Sequence, residues 1–374
     1  MRRLSKPRGL KPLVLAIVST FAIAGAQVQA QEDALKSLGE PLVIAKQGSF
    51  MVGGRRITAP NGQTYPIDHL YAQFQIPLNA RHLPMVMVHG AGQTGKGFES
   101  TPDGREGFQS LFVRRGFAVY VVDFPRRGRA GFPSFTGPLG NFFGTQVIPD
   151  QTSRSSDQAR FTGSRLGPAY LEYYPNSQFP KAGLDEFLRS SIPGVQDDTE
   201  VIASALAALF ERIGPAILVT HSQGGVFSWP ARIKSDNVKA IINYEPGGFV
   251  FPDNDFPPPV PLYGGAVRSP GTRVPLADFQ KLTEIPIQIV WGDNIPPAAQ
   301  PSATLEFFRS SVVLSREIVA AINRRGGDAS LLNLPEIGVT GNTHFTFGDL
   351  NNVQIADLLS QFLHEKGLDK RGDD

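Results

Sequence analysis

Between residues 84 and 334 the chain repeats one pattern. A short unbroken apolar run ends at glycine, proline or a charged residue, and a longer segment then carries apolar residues at helical spacing. The runs 84–88, 118–123, 216–220, 238–244, 285–291 and 330–334 predict buried strands, because a strand covered on both faces needs no polar alternate positions. Residues 108–115 and 195–213 predict helices, the second with Ile202, Ala205, Leu206, Leu209 and Ile213 on one face. Residues 226–233 can run as a helix with Pro230 early in it, residues 303–325 read as one long helix or two short ones, and residues 353–364 close the chain as a helix. Upstream, residues 42–45 and 50–52 read as strands about a turn at Gln47-Gly48, and residues 69–76 as another, with further turns at Gly53-Gly54 and Asn61-Gly62. An antiparallel start followed by strand–helix alternation predicts one α/β domain whose sheet is mostly parallel and flanked by helices. Residues 132–195, rich in Phe, Tyr, Pro and Gly, and residues 249–280 interrupt the alternation.

Composition changes this picture at the N-terminus. Arg2, Arg3, Lys6, Arg8 and Lys11 precede an apolar run over 13–26, and Val28-Gln29-Ala30 fits a small-x-small cleavage rule. Residues 1–30 therefore read as a signal peptide, with residues 31–374 as the mature domain. The Arg-Arg pair only partly matches a twin-arginine signal, so general secretion fits better. The whole chain carries +2 at pH 7, but the leader holds five Lys/Arg and no Asp/Glu, which leaves the remainder at −3. Nothing in that balance argues for a nucleic-acid partner. The chain has no cysteine, so it holds no disulfide and no lipid-anchored cysteine, and no membrane anchor is expected after cleavage. A periplasmic or secreted protein follows. Gly 39 and Pro 31 are high counts that suit long structured loops.

Three stretches carry chemistry. The strand 216–220 runs into His221-Ser222-Gln223-Gly224-Gly225, a serine at a sharp strand-to-helix turn with slim residues after it. Such a turn exposes the hydroxyl, and the helix behind it aims its first N–H groups at developing negative charge. The strand 84–88 runs into His89-Gly90-Ala91-Gly92, where glycines let the backbone come close to a bound molecule. The same loop, Gly90 to Lys96, nearly spells a phosphate-binding loop, but Gly97 stands where Ser or Thr would hold Mg²⁺. No H-E-x-x-H zinc motif occurs.

Thr220-His-Ser-Gln-Gly224, the H-G-x-G loop, the turn after Asp123 (Phe124-Pro-Arg-Arg-Gly-Arg) and the order in which they come resemble the α/β-hydrolase superfamily, in particular a branch of secreted bacterial serine esterases. The resemblance covers most of the mature chain. It departs from G-x-S-x-G at Thr220. It implies an α/β-hydrolase fold with residues 132–195 as a cap-like insertion, whose aromatic residues pack the cap or line an apolar pocket. It implies Ser222 as nucleophile and the backbone N–H groups of Ala91 and Gln223 as the oxyanion hole. In this fold the chain order is serine, acid, histidine, and His344 is the histidine on a loop after the last strand. The acid is a choice between Glu245, at a strand tip followed by Pro-Gly-Gly, and Asp293, in the turn after the next-to-last strand. Glu245 is preferred, since the usual acid position of that turn holds Ile295 and Asp293 comes two residues early.

A small-molecule ester is then the expected partner, cleaved through an acyl-enzyme with no metal or organic cofactor. Amidase or lactonase activity would use the same triad, and a non-catalytic binding protein on this scaffold is the reading from another class. A dehalogenase or epoxide hydrolase would carry aspartate in place of Ser222. The resemblance also allows a homodimer, which no stretch of the sequence assigns.

Overall fold

A computed structural model of the protein describes residues 41–58, 61–131, 152–195 and 198–371. The expected signal peptide, the lead-in to residue 40 and residues 132–151 of the expected insertion lie outside these. The architecture below is that of the unit Leu42–Asp374.

Eight strands form the central sheet: β1 (Ile44–Val52), β2 (Leu70–Pro77), β3 (Met85–Val88), β4 (Val119–Asp123), β5 (Ala216–His221), β6 (Val238–Tyr244), β7 (Pro286–Trp291) and β8 (Asp328–Asn333). Their order is β1-β2-β4-β3-β5-β6-β7-β8. β2 pairs antiparallel with β1 and β4, and every other pairing is parallel. β3 and β5 are buried at every position, as unbroken apolar runs in a covered sheet should be. One apolar cluster joins the helices α4 (Thr199–Ile213), α5 (Gln223–Lys234) and α6 (Ala303–Asn323) to one side of the sheet. A second joins α1 (Phe108–Arg114) and α7 (Asn352–Glu365) to the other.

The sheet matches the expected strands apart from its first edge. Residues 44–52 form one strand, with an irregularity between Ile44 and Lys46 and no turn at Gln47-Gly48. Gly48 lies under the Phe74 ring of β2, where an added Cβ would stand 3.0 Å from the ring. The glycine is there to admit an aromatic neighbour, not to bend the chain. A hairpin of Arg55–Thr58 with Thr64–Ile67 was not expected; its short, polar strands carry no apolar signature. α6 is one helix of 21 residues, capped by the Ser302 hydroxyl, which accepts from Leu305 N–H.

The described part of the expected insertion, residues 152–195, holds helices α2 (Asp157–Gly163) and α3 (Leu184–Arg189). Its rings pack on one another: Phe161 edge-on to Tyr170 and Tyr173, Tyr173 stacked on Phe179, and Phe179 edge-on to Phe187. These aromatics mainly pack the segment. Phe132, Phe135, Phe142 and Phe143 lie outside the described residues. Among the described residues no helix is long and apolar enough to cross a membrane.

Candidate active site

The carboxyl ends of β3, β5 and β6 bring the chemistry together. Ser222 follows β5 directly, with φ 53° and ψ −115°, a conformation that non-glycine residues rarely hold. Its N–H bonds Tyr244 O at 2.9 Å, while Gly225 N–H and Gly247 N–H both donate to its carbonyl at 2.9 and 2.8 Å. The turn is thus held from three sides, and the helix α5 starts at the next residue, Gln223. Gly224 is required by closeness: a Cβ there would meet His89 O at 2.7 Å and Val88 O at 2.9 Å. Gly90 answers from the other side, where a Cβ would lie 2.9 Å from Ser222 Cβ and 2.8 Å from His221 Nδ1. The two glycine motifs let the H-G-x-G loop lie against the serine turn. Thr220, the departure from G-x-S-x-G, is fully buried and donates its hydroxyl to Asn243 Oδ1 of β6 at 2.5 Å.

The Ser222 hydroxyl faces His344 Nε2 at 2.9 Å, and His344 Nδ1–H donates to Glu245 Oε2 at 2.5 Å. Glu245 is buried at the tip of β6 with φ 50°, and Gly292 N–H donates to its Oε1 at 2.8 Å. Asp293 does other work: its Oδ2 accepts from Gly341 N–H at 2.7 Å and from Asn176 Nδ2 at 2.8 Å, so it shapes the loop that carries His344. Of the two candidate acids, the structure puts Glu245 against the histidine.

Burial alone would raise the Glu245 carboxyl. Arg165 first and then His344 overcome that and hold it well below the usual carboxylate range. His344 is pushed below the ordinary histidine value by burial, although Glu245 pulls the other way, so it is neutral at pH 7 and able to accept a proton.

Four supporting residues were not foreseen. Arg165 is fully buried and grips both Glu245 oxygens, Nη1 to Oε2 at 2.6 Å and Nη2 to Oε1 at 2.5 Å. It stacks over Phe308, whose ring also meets His344 edge-on at 4.9 Å. His221, next to the serine in sequence, donates Nε2–H to the His344 carbonyl at 2.7 Å. Asp349 accepts from Thr343 N–H and hydroxyl, both at 2.8 Å, and so fixes the backbone beside His344. Arg105 of the 101–107 turn binds the carbonyls of Asp349 and Leu350 and the Asn352 side chain. Each of these residues acts across 80 or more positions of sequence or within a loop of no period, so no local pattern marks them.

The phosphate-loop near-match dissolves in the same way. Gly95 N–H, which would face a phosphate, donates to buried Asp123 Oδ1 at 2.7 Å, and Lys96 Nζ pairs with Glu186 at 2.6 Å. Among the described residues no group of three or more side chains could hold a metal ion.

His89 opens the H-G-x-G loop in a fixed tautomer. Nδ1–H donates to Gly90 O at 2.8 Å, and Nε2 accepts from Phe124 N–H at 3.3 Å. Burial pushes its pKa from 6.5 down to about 4. A group with a depressed folded value resists protonation in the native state, so its contribution is complete above pH 6.5 and is lost as pH falls toward 4. Urea unfolding is expected to show about 2 kcal/mol less stability at pH 5 than at pH 7.5 from His89 alone. Because His221 and His344 are lowered as well, and Asp349, raised to about 7 by burial, gains stability on acidification, the His89 share is read against His89→Gln; equal pH slopes in the two proteins would contradict a neutral, buried His89.

A cavity of about 450 Å³ opens onto the serine, lined among others by Ala91, Arg160, Ser222, Phe307, Phe308 and His344. The two phenylalanines come from α6 and not from the aromatic segment.

Residues 85–335 match the model of the alpha/beta hydrolase family, and the chain belongs to that family. It is similar to a probable secreted lipase, phiG, of a fungal species (Fungal sp.), at 26% identity over 353 residues, covering 85% of this chain and 89% of that one. It is also similar in structure to a novel bacterial esterase, at a TM-score of 0.72 and 28% identity over 88% of this chain and 98% of that one.

Proposed function

We propose that the protein is an exported serine hydrolase that cleaves carboxylic esters through an acyl-enzyme on Ser222. The observation that carries this reading is the unbroken line Ser222 Oγ, His344 Nε2, His344 Nδ1, Glu245 Oε2 at the mouth of the cavity. His344 takes the hydroxyl proton as Ser222 attacks the ester carbonyl. Glu245 holds the imidazole in the tautomer that leaves Nε2 free and stabilises the imidazolium that forms. The oxyanion falls to the N–H groups of Ala91 and Gln223, the latter at the positive end of α5. His344 then protonates the leaving alcohol, and water, activated by the same imidazole, releases the acid. The described part of the insertion, residues 152–195, acts as a cap on this site, and residues 1–30 direct export. The ester reading draws on the esterase and lipase to which the chain is similar.

Hydrolysis of a p-nitrophenyl ester series by Glu245→Gln and Asp293→Asn tests the acid. Glu245→Gln removes the charge that steadies the imidazolium, and kcat is expected to fall about 10²–10⁴-fold. Asp293→Asn is expected to keep kcat within about tenfold and to lose loop stability instead. An inactive Asp293→Asn beside an active Glu245→Gln would overturn the assignment.

A further inference from the structure

Arg160 on α2 lines the cavity beside Ser222. Its Nε and Nη2 are screened from solvent and have no hydrogen-bond partner, and Nη1 has only a long contact, 3.4 Å, to the Ala91 carbonyl. Among the described residues no carboxylate pairs with it, whereas Arg165 pairs with Glu245 and Arg129 with Asp123 and Glu99. Phe187 covers one face of the group at 4.5 Å, which holds it in place but satisfies none of its N–H donors. The charge is felt by His221 and His344, both of which it lowers, so it lies close to the reacting atoms. Its own pKa is pushed down only to about 10 by burial, so it stays cationic at neutral pH.

A buried cation without a counter-charge is costly unless something supplies the missing anion. Among the described residues that line the cavity, which include Phe307 and Phe308 and neutral polar side chains such as Gln93, Ser155 and Thr304, Arg160 is the one with a permanent charge. From these contacts we infer that Arg160 is a carboxylate-recognition group, and that the preferred substrates are esters carrying a second, ionised carboxyl group a few bonds from the scissile carbonyl. The inference rests on the ester-hydrolase reading and narrows it to a substrate class. The planar fork of N–H donors suits a carboxylate, which would meet Nη1 from the cavity and draw the unpartnered Nη2 round to its second oxygen. Substrate binding would thereby supply the anion that the free enzyme lacks.

The test compares kcat/KM for two phenyl esters of equal chain length, monophenyl adipate and phenyl hexanoate, in wild type, Arg160→Lys and Arg160→Gln. Thermal melts establish that each variant is folded. Wild type is expected to favour the adipate ester. The anionic-to-neutral ratio should fall about ten- to a hundredfold in Arg160→Gln, as expected for one lost charge-assisted pair, with partial recovery in Arg160→Lys. A wild-type ratio at or below one overturns the inference. So does a ratio that Arg160→Gln leaves unchanged, whether both esters slow together, as a general effect on the oxyanion would require, or only the melting temperature drops, as a packing role against Phe187 would require. If wild type cleaves neither ester and Ser222 takes no fluorophosphonate label, the hydrolase reading itself fails and the inference with it. Cleavage of phenyl hexanoate alone leaves that reading standing and removes only the inference.

Discussion

Ser222→Ala is expected to lower kcat by at least ~10³-fold, which corresponds to about 4 kcal/mol of lost transition-state stabilisation, while KM stays within a few-fold of wild type. The asymmetry follows from the geometry. The hydroxyl lies 2.9 Å from His344 Nε2 and contributes to bond making, whereas the cavity walls that hold a substrate are untouched. Alanine also fits the turn sterically no better and no worse than serine, because the φ of 53° is imposed by the bonds to Tyr244, Gly225 and Gly247 and not by the side chain. The variant should therefore fold, melt near the wild-type temperature and bind ester without turning it over. Residual hydrolysis above background would come from the oxyanion donors alone. Steady-state kinetics together with fluorophosphonate labelling check this. A variant that keeps a tenth of wild-type kcat would remove Ser222 as nucleophile.

Arg165→Leu should produce the largest loss of stability, about 3–5 kcal/mol. Both partners of the Arg165–Glu245 pair are fully buried, and the pair is bidentate. Leucine would leave the Glu245 carboxylate in an apolar surround with only His344 and Gly292 N–H to answer it. The direction of the pH dependence then reverses. In wild type the carboxyl is held low, so its contribution is complete above the ordinary glutamate value of 4.5 and is lost as pH falls below it. In the variant, burial without Arg165 lifts the carboxyl above its unfolded value, so protonation favours the folded state and the gap to wild type narrows on acidification. The double variant Arg165→Leu, Glu245→Gln removes the stranded charge and should recover much of the stability while remaining catalytically poor. Urea unfolding of the four proteins completes the cycle. A double variant no more stable than Arg165→Leu would show that the guanidinium acts by packing against Phe308 and not by charge.

How much of this was readable in advance follows from how each feature is written in the chain. β3 to β7 were legible because strands buried on both faces are nearly unbroken apolar runs, and β8, half-buried at the far edge, was legible from its place after the last long helix. β1 is a partly exposed edge strand, and its glycine, needed under Phe74, imitates a turn. Ser222 and the H-G-x-G loop were legible because close backbone approach demands glycines in sequence beside the reacting group. Glu245 was legible only as a preference. A strand-end carboxylate followed by Pro-Gly-Gly announces an unusual backbone, here φ 50°, but not its partner. Asp293 competed because it sits in the right turn, and it does serve the histidine loop, through Gly341 N–H. Arg165, His221, Asp349 and Arg160 were invisible because what defines each is a partner, or a missing partner, supplied by folding.

The way the segment 152–195 joins the rest has a consequence for how such an enzyme can change. Arg165 grips the acid, its Nε–H donates to the Asp293 carbonyl, Ser164 O receives His344 N–H, and Gln178 N–H donates to Gly341 O. The segment is therefore not an interchangeable module. A chimera that swaps it wholesale for a relative's would strip the carboxylate of its counterion and unpin the histidine loop in the same stroke. New specificities on this scaffold are accessible by point changes along α2, around a fixed Ser164-Arg165 anchor, and any recombination library should keep that dipeptide, Glu245 and His344 together as one inherited block.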